Sequence, residues 1–191
     1  MLEKKQVRQE LLQIRKSFSP QEVEAKSAAV CQHILGSTAY RQAHCIMAFL
    51  AFGQEISVDR VLQDALNSNK IIAVPYVLSK TEFKAVRFQS FRDLELDRYG
   101  IRSVKPPVQE VHPEAFDLLL VPGVGFSRQG QRMGMGAGYY DRFLALTSGF
   151  KLGVTCTALL TGAALPVDRF DQDVDALVTE KGISICSQAG K

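Results

Sequence analysis

Residues 117–144 read DLLLVPGVGFSRQGQRMGMGAGYYDRFL: a strongly apolar strand, a loop holding six glycines, and the start of a helix. A short continuous apolar run between turn signals suits a strand buried on both faces, as in parallel sheets covered by helices. In such sheets ligands sit beyond the carboxyl ends of the strands, where this loop lies. Glycines permit positive φ and let the backbone approach a ligand closely. Successive peptide N–H groups in such a loop form an anion-binding nest, and a helix start beside it adds partial positive charge. Arg128 and Arg132 supply full charges. The segment reads as a phosphate cradle, but not a standard one. It has no Gly-Lys-Ser/Thr, and Gly134-Met-Gly136-Ala-Gly138 is G-x-G-x-G rather than the dinucleotide fingerprint G-x-G-x-x-G.

Working outward, the chain alternates between strand and helix patterns. Residues 2–18 form a helix with Val7, Leu11, Ile14 and Phe18 on its apolar face, while Lys4, Arg8 and Arg15 share another stripe. Ser19-Pro-Gln-Glu22 is a capping box with proline at the first helical position, opening a helix that runs to about Leu35 and stops at Gly36. Strands follow at CIMAFL (45–50), IIAVPY (71–76) and FKAVRF (83–88), with a helix over 57–67. The proline-bearing stretch 97–114 reads as loop. After the glycine loop come a helix over 139–146, strands at 151–159 and 174–180, and GISIC (182–186) as a hairpin partner. This alternation predicts an α/β layer fold with a mostly parallel sheet, in a single domain spanning 1–191.

Composition narrows the function. Apolar residues make up 46% and charged residues 23% of 191, an ordinary globular balance. A net charge of +3 with dispersed basic residues gives no nucleic-acid footprint. No apolar stretch reaches the roughly 20 residues a membrane span needs. The charged start MLEKKQVRQE lacks the apolar core of a signal peptide, so the expectation is a cytoplasmic protein with no membrane association. Cys31, Cys45, Cys156 and Cys186 show no zinc spacing with the three histidines and read as buried free thiols. Nothing demands an oligomer, so a monomer is expected.

Several carboxylates are placed for chemistry. Asp141, in the first turn after the loop, is either a dipole partner of its helix or, beside phosphates, a Mg²⁺ ligand. Tyr139 and Tyr140 are packing residues or a platform for a flat heterocycle. Asp168, Asp171, Asp173 and Asp175 lie in the tail; most read as solvated loop charges, and Asp175, leading into a strand, is the best placed. Glu55 ends the loop after the first strand and faces the same crevice.

Pro122-Gly-Val-Gly-Phe126 followed by Gly130-x-Arg132-x-Gly134-x-Gly136-x-Gly138-Tyr-Tyr-Asp-Arg142 closely resembles the signature of the 5-formyltetrahydrofolate cyclo-ligase (methenyltetrahydrofolate synthetase) family. Other pieces agree in order along nearly the whole chain: Lys4-x-x-x-Arg8, Phe49-Leu50 with Glu55-Ile56, and Pro166, Asp171 and Asp175 near the end. The glycine-tyrosine segment is specific; the outer pieces gain weight from their order. The sequence departs from the family pattern at Met135, Ala137, Leu160 and Phe170.

The resemblance implies a three-layer α/β/α, Rossmann-like domain that uses ATP and Mg²⁺. It implies conversion of 5-formyltetrahydrofolate, polyglutamylated or not, to 5,10-methenyltetrahydrofolate, with release of ADP and phosphate. The formyl oxygen is phosphorylated and N10 closes the ring. By the match, Lys4, Arg8 and Arg132 contact ATP, and Gly134, Met135, Gly136, Ala137, Gly138, Tyr139 and Tyr140 cradle its phosphates and face the folate. Arg132, Tyr140 and Asp141 form the catalytic group, Asp141 and Asp175 hold Mg²⁺, and Leu50, Glu55 and Tyr140 contact the folate, Glu55 on the pterin. Two other readings compete: a folate- or nucleotide-binding member without turnover, and an ATP-dependent enzyme acting on another formamide or carboxylate.

Overall fold

The computed structural model describes residues 4–79, 81–96 and 100–186. The helices are Lys4–Lys16 (α1), Pro20–Gly36 (α2), Thr38–Gln42 (α3), Asp59–Asn67 (α4) and Tyr139–Leu144 (α5). The main sheet is built from Cys45–Met47 (β1), Ile71–Val77 (β2), Phe83–Arg87 (β3), Leu118–Pro122 (β6), Phe150–Val154 (β9), Ala176–Thr179 (β11) and Gly182–Ile185 (β12). Two small sheets use Leu94–Leu96 (β4) with Arg102–Val104 (β5), and Gly125–Ser127 (β7), Arg132–Met133 (β8) and Leu160–Thr161 (β10).

The seven strands run in the order β12-β11-β9-β6-β1-β2-β3. The five inner strands are parallel, and the edges β12 and β3 are antiparallel. The apolar strand that anchors the sequence reading lies at the centre. Leu118 and Leu120 enter one core with Ile46, Val30, Ile34, Val61 and Leu62, while Leu119 and Val121 enter a second with Met47, Phe116, Phe126 and Phe143. Burial on both faces is why this strand reads as a continuous apolar run, each such leucine contributing about 1.5–3 kcal/mol. α2 and α4 cover the first face; among the described helices only the short α5 covers the second.

Local chemistry sets the element ends. Ser19 Oγ accepts from Glu22 N at 3.2 Å and Glu22 Oε2 accepts from Ser19 N at 2.8 Å, the reciprocal box expected at the start of α2. Asp117 Oδ2 accepts from the backbone N–H groups of His44 and Cys45 at 2.7 and 2.9 Å, tying the start of β6 to that of β1. Those two donors hold the Asp117 carboxyl below its ordinary pKa.

Three expectations need correction. The glycine loop contains structure: β7 and β8 form a hairpin inside it, joined by β10. Residues 102–104 of the expected loop pair with β4. The inward face of α1 is Val7, Leu11 and Arg15, whereas Ile14 is 40% exposed. The expected start of α1 at residue 2 lies outside the described residues. All four cysteines are free and buried, as expected.

Candidate active site

Strand order reverses between β1 and β6: the chain leaves β1 toward β2 on one side and later runs β6-β9-β11 on the other. The crevice beyond their carboxyl ends is the place where open α/β sheets bind ligands. Here it opens into a cleft of about 1600 Å³. Its walls come from α1, the loop after β1, the glycine loop with α5, and residues 168–172.

The glycine loop is held open by arginines. Gly136 and Gly138 have φ of +105° and +67°, a region that strains any residue with a Cβ. A Cβ at Gly138 would also come within 3.0 Å of Arg142 Nη1. Arg8 Nε donates to Gly134 O at 2.7 Å and Arg142 Nη2 donates to Ala137 O at 2.6 Å. The backbone N–H groups of Met135, Gly136 and Ala137 have no acceptor among the described residues. Unpaired donors beside guanidinium groups form a site for a polyanion.

Arg132 is 4% exposed at its side chain and donates from Nη2 to Asp141 Oδ1 at 2.7 Å. The same Asp141 oxygen accepts from Gln172 N at 3.3 Å, so Asp141 joins the glycine loop to the segment 168–172. In that segment Asp171 Oδ2 accepts from Lys4 Nζ and, at 2.7 Å, from Asp168 N. Lys4 also reaches Asp168 at 2.7 Å. Burial pulls the Lys4 ammonium down, but its hydrogen bonds and charge pairing with Asp168 and Asp171 outweigh it and raise its pKa.

Tyr140 lies under this group, with Arg132 5.6 Å from its ring centroid and Phe83 at 5.3 Å. Its hydroxyl is buried without a hydrogen-bond partner among the described residues. Burial, with help from the charge of Glu55, keeps the phenol protonated far above neutral pH. Tyr139 packs partly buried near Phe83 and donates to Ser79 O at 2.6 Å, anchoring α5 to the β2–β3 turn.

The cleft therefore gathers Lys4, Arg8, Leu50, Glu55, Arg132, residues 134–140 and Asp141. It does not gather Asp175. That residue precedes β11 at the amino end of the sheet, and its carboxylate accepts from Lys151 N at 2.7 Å. It stitches β11 to β9 and is absent from the cleft wall. The structure thus sets Asp175 apart from Asp141; the tail carboxylate that shares the cleft with Asp141, one residue from its contact Gln172, is Asp171. Sequence position favoured Asp175 because it adjoins a strand, but the amino end of a parallel strand is the end away from the ligand crevice. Met135, Ala137 and Phe170 line the cleft, whereas Leu160 pairs in β10 away from it. Arg15 was noted only as part of a charged stripe, yet it is buried in the cleft wall.

Residues 1–180 match the 5-formyltetrahydrofolate cyclo-ligase family. The chain belongs to that family. It is similar to a probable 5-formyltetrahydrofolate cyclo-ligase of Caenorhabditis elegans, at 29% identity over 92% of this chain and 94% of the relative. It is 31% identical to the 5-formyltetrahydrofolate cyclo-ligase of Haemophilus influenzae, over 74% of this chain and 77% of that one. The fold matches the NMR structure of Aquifex aeolicus 5,10-methenyltetrahydrofolate synthetase with a TM-score of 0.84 and 28% identity, covering 98% of this chain and 94% of the other. As a 5-formyltetrahydrofolate cyclo-ligase family member, the chain is an ATP-dependent ligase of folate one-carbon metabolism. Among the described residues, no helix is long and apolar enough to cross a membrane.

Proposed function

We propose that this cleft converts 5-formyltetrahydrofolate to 5,10-methenyltetrahydrofolate with ATP as co-substrate, and that Asp141 and Asp171 bind the Mg²⁺ that accompanies it. The observation that carries the reading is the convergence of two carboxylates, Asp141 and Asp171, on a loop of unpaired N–H groups and arginines. Two carboxylates completed by phosphate oxygens and water suit Mg²⁺, which rarely has an all-protein cage. When bound, Mg²⁺ would neutralise phosphate charge as the phosphoryl group moves.

The protein groups position and stabilise. Lys4, Arg8 and Arg132 hold the triphosphate, with residues 134–138 wrapped around it. Leu50 and Glu55 hold the pterin, and Tyr140 packs against it. The formyl oxygen attacks the γ-phosphorus and ADP leaves. N10 then attacks the formyl carbon and loses its proton, and the oxygen departs with phosphate. No protein nucleophile is needed; alignment and fixed charge supply the rate.

Absorbance of the methenyl product tests the reading directly. Purified protein with 5-formyltetrahydrofolate, ATP and Mg²⁺ should form product, and omission of any one component should abolish it. Tight ATP binding without product would favour a binding member of the family or another formamide substrate.

A further inference from the structure

We propose that Arg15 is a positioning residue for the folate end of the cleft, aiming the Glu55 carboxylate at the bound pterin. The proposal rests on the reading of Glu55 as a folate contact.

Lys4, Arg8 and Arg15 all reach the cleft from α1. A helix rises about 1.5 Å per residue, so Arg15 stands roughly 16 Å along the axis from Lys4. Its guanidinium is engaged by Glu55, whereas Lys4 and Arg8 contact residues 168–171 and the glycine loop. Its position is costly for a cation: only 9% of the residue is exposed, on the helix face otherwise occupied by Val7 and Leu11. The compensation is Glu55. Arg15 Nη1 lies 3.2 Å from Glu55 Oε1, and Phe52 N donates to Glu55 Oε2 at 3.1 Å. Both carboxylate oxygens are thereby fixed, one by a charge and one by the backbone. A carboxylate has about four lone-pair sites, so two hydrogen bonds leave acceptors for ligand N–H groups. Glu55 also lies close enough to Tyr140 for its charge to act on the phenol. The Arg15–Glu55 pair thus lines the same cleft as the ring against which the pterin is proposed to pack.

A purely structural Arg15 would fasten α1 to the loop 52–55 and affect both substrates alike. A positioning Arg15 affects folate alone and acts only through Glu55. Steady-state kinetics and calorimetric titration of folate distinguish them, using Arg15→Leu, Arg15→Lys, Glu55→Gln and the Arg15→Leu/Glu55→Gln double variant, with melting curves on each. Misplacing a contact by about 1 Å can cost up to ~10²-fold. The expected result is a rise in KM for 5-formyltetrahydrofolate of about tenfold or more for Arg15→Leu, with KM for ATP within about twofold. Arg15→Lys should recover part of the loss. In the double variant the losses should fail to multiply, since both act on one contact. Multiplying losses, or an unchanged folate KM in a folded Arg15→Leu, overturn the proposal. If Arg15→Leu does not fold, folate titration of Arg15→Lys decides: weakened folate binding with intact ATP binding supports the role, and equal weakening of both refutes it. An unchanged folate constant in Glu55→Gln removes Glu55 from the folate site and the proposal with it; a changed one beside a silent Arg15→Leu removes the proposal alone.

Discussion

Lys4 donates to the carboxylate of Asp171 across 167 residues of chain, closing the first turn of α1 onto the segment that also contacts Asp141. The ammonium is held by the carboxylates of Asp168 and Asp171, while Arg8 one turn on holds the glycine loop. A triphosphate entering the cleft would take Lys4 as a counter-charge. Lys4→Ala should therefore weaken ATP binding about tenfold or more, the loss of a charge-assisted hydrogen bond being about 1.5–3 kcal/mol. Folate binding should change far less. Calorimetric titration of each ligand checks this, and equal small shifts in both would leave Lys4 as a packing residue.

Asp141→Asn should lower kcat by at least about 10²-fold, because a fixed charge at the phosphoryl-transfer site is lost. The fold should survive: the amide oxygen can still accept from Arg132 Nη2, which now lies 2.7 Å from Asp141. Turnover and melting temperature measured together decide the case. Normal turnover would take Asp141 out of the metal site.

Asp171 and Asp175 separate the two possible metal partners. Asp171→Asn should raise the Mg²⁺ concentration needed for half-maximal rate by about tenfold or more, with little effect on melting. Asp175→Ala should instead lower the melting temperature, since it removes the oxygen that accepts from Lys151 N inside the sheet. Its Mg²⁺ dependence per folded molecule should match that of the parent. The opposite pattern would restore Asp175 to the metal site.

Asp117 gives a pH prediction with a defined sign. Its pKa is depressed in the folded state by the N–H groups of Cys45 and His44. It therefore stabilises the fold above the unfolded carboxyl pKa of about 3.9, and that contribution disappears as pH falls through the lower folded value. Asp117→Asn should melt below the parent at pH 6, and the gap should hold until pH nears the unfolded value of about 3.9 and narrow below it. A gap that stays constant would mean that the carboxylate charge plays no part.

The central strand, the capping box of α2 and the glycine loop were legible because each is a local pattern. Leu118–Val121 announces double burial by having no polar residue, and Ser19–Glu22 specifies a helix start within four residues. The orientation of α1 was not legible. Apolar spacing favours Ile14 as an inward residue, yet Arg15 takes that place because its partner, Glu55, arrives from a loop 40 residues away. In the sequence Asp171 is one of four tail carboxylates and a piece of the family pattern; what singles it out is its contact with Lys4 and its place beside Gln172, which reaches Asp141. The β7–β8 hairpin was hidden by the glycines, whose composition signals loop even where the backbone pairs.

Because α1 supplies one wall of the cleft and residues 168–172 another, order of synthesis matters. A nascent chain halted after β9 would hold the glycine loop, both tyrosines and Asp141, but nothing for Lys4 to grip. Ribosome-bound intermediates of that length should retain nucleotide poorly, and full competence should arrive only once residues 168–172 have emerged.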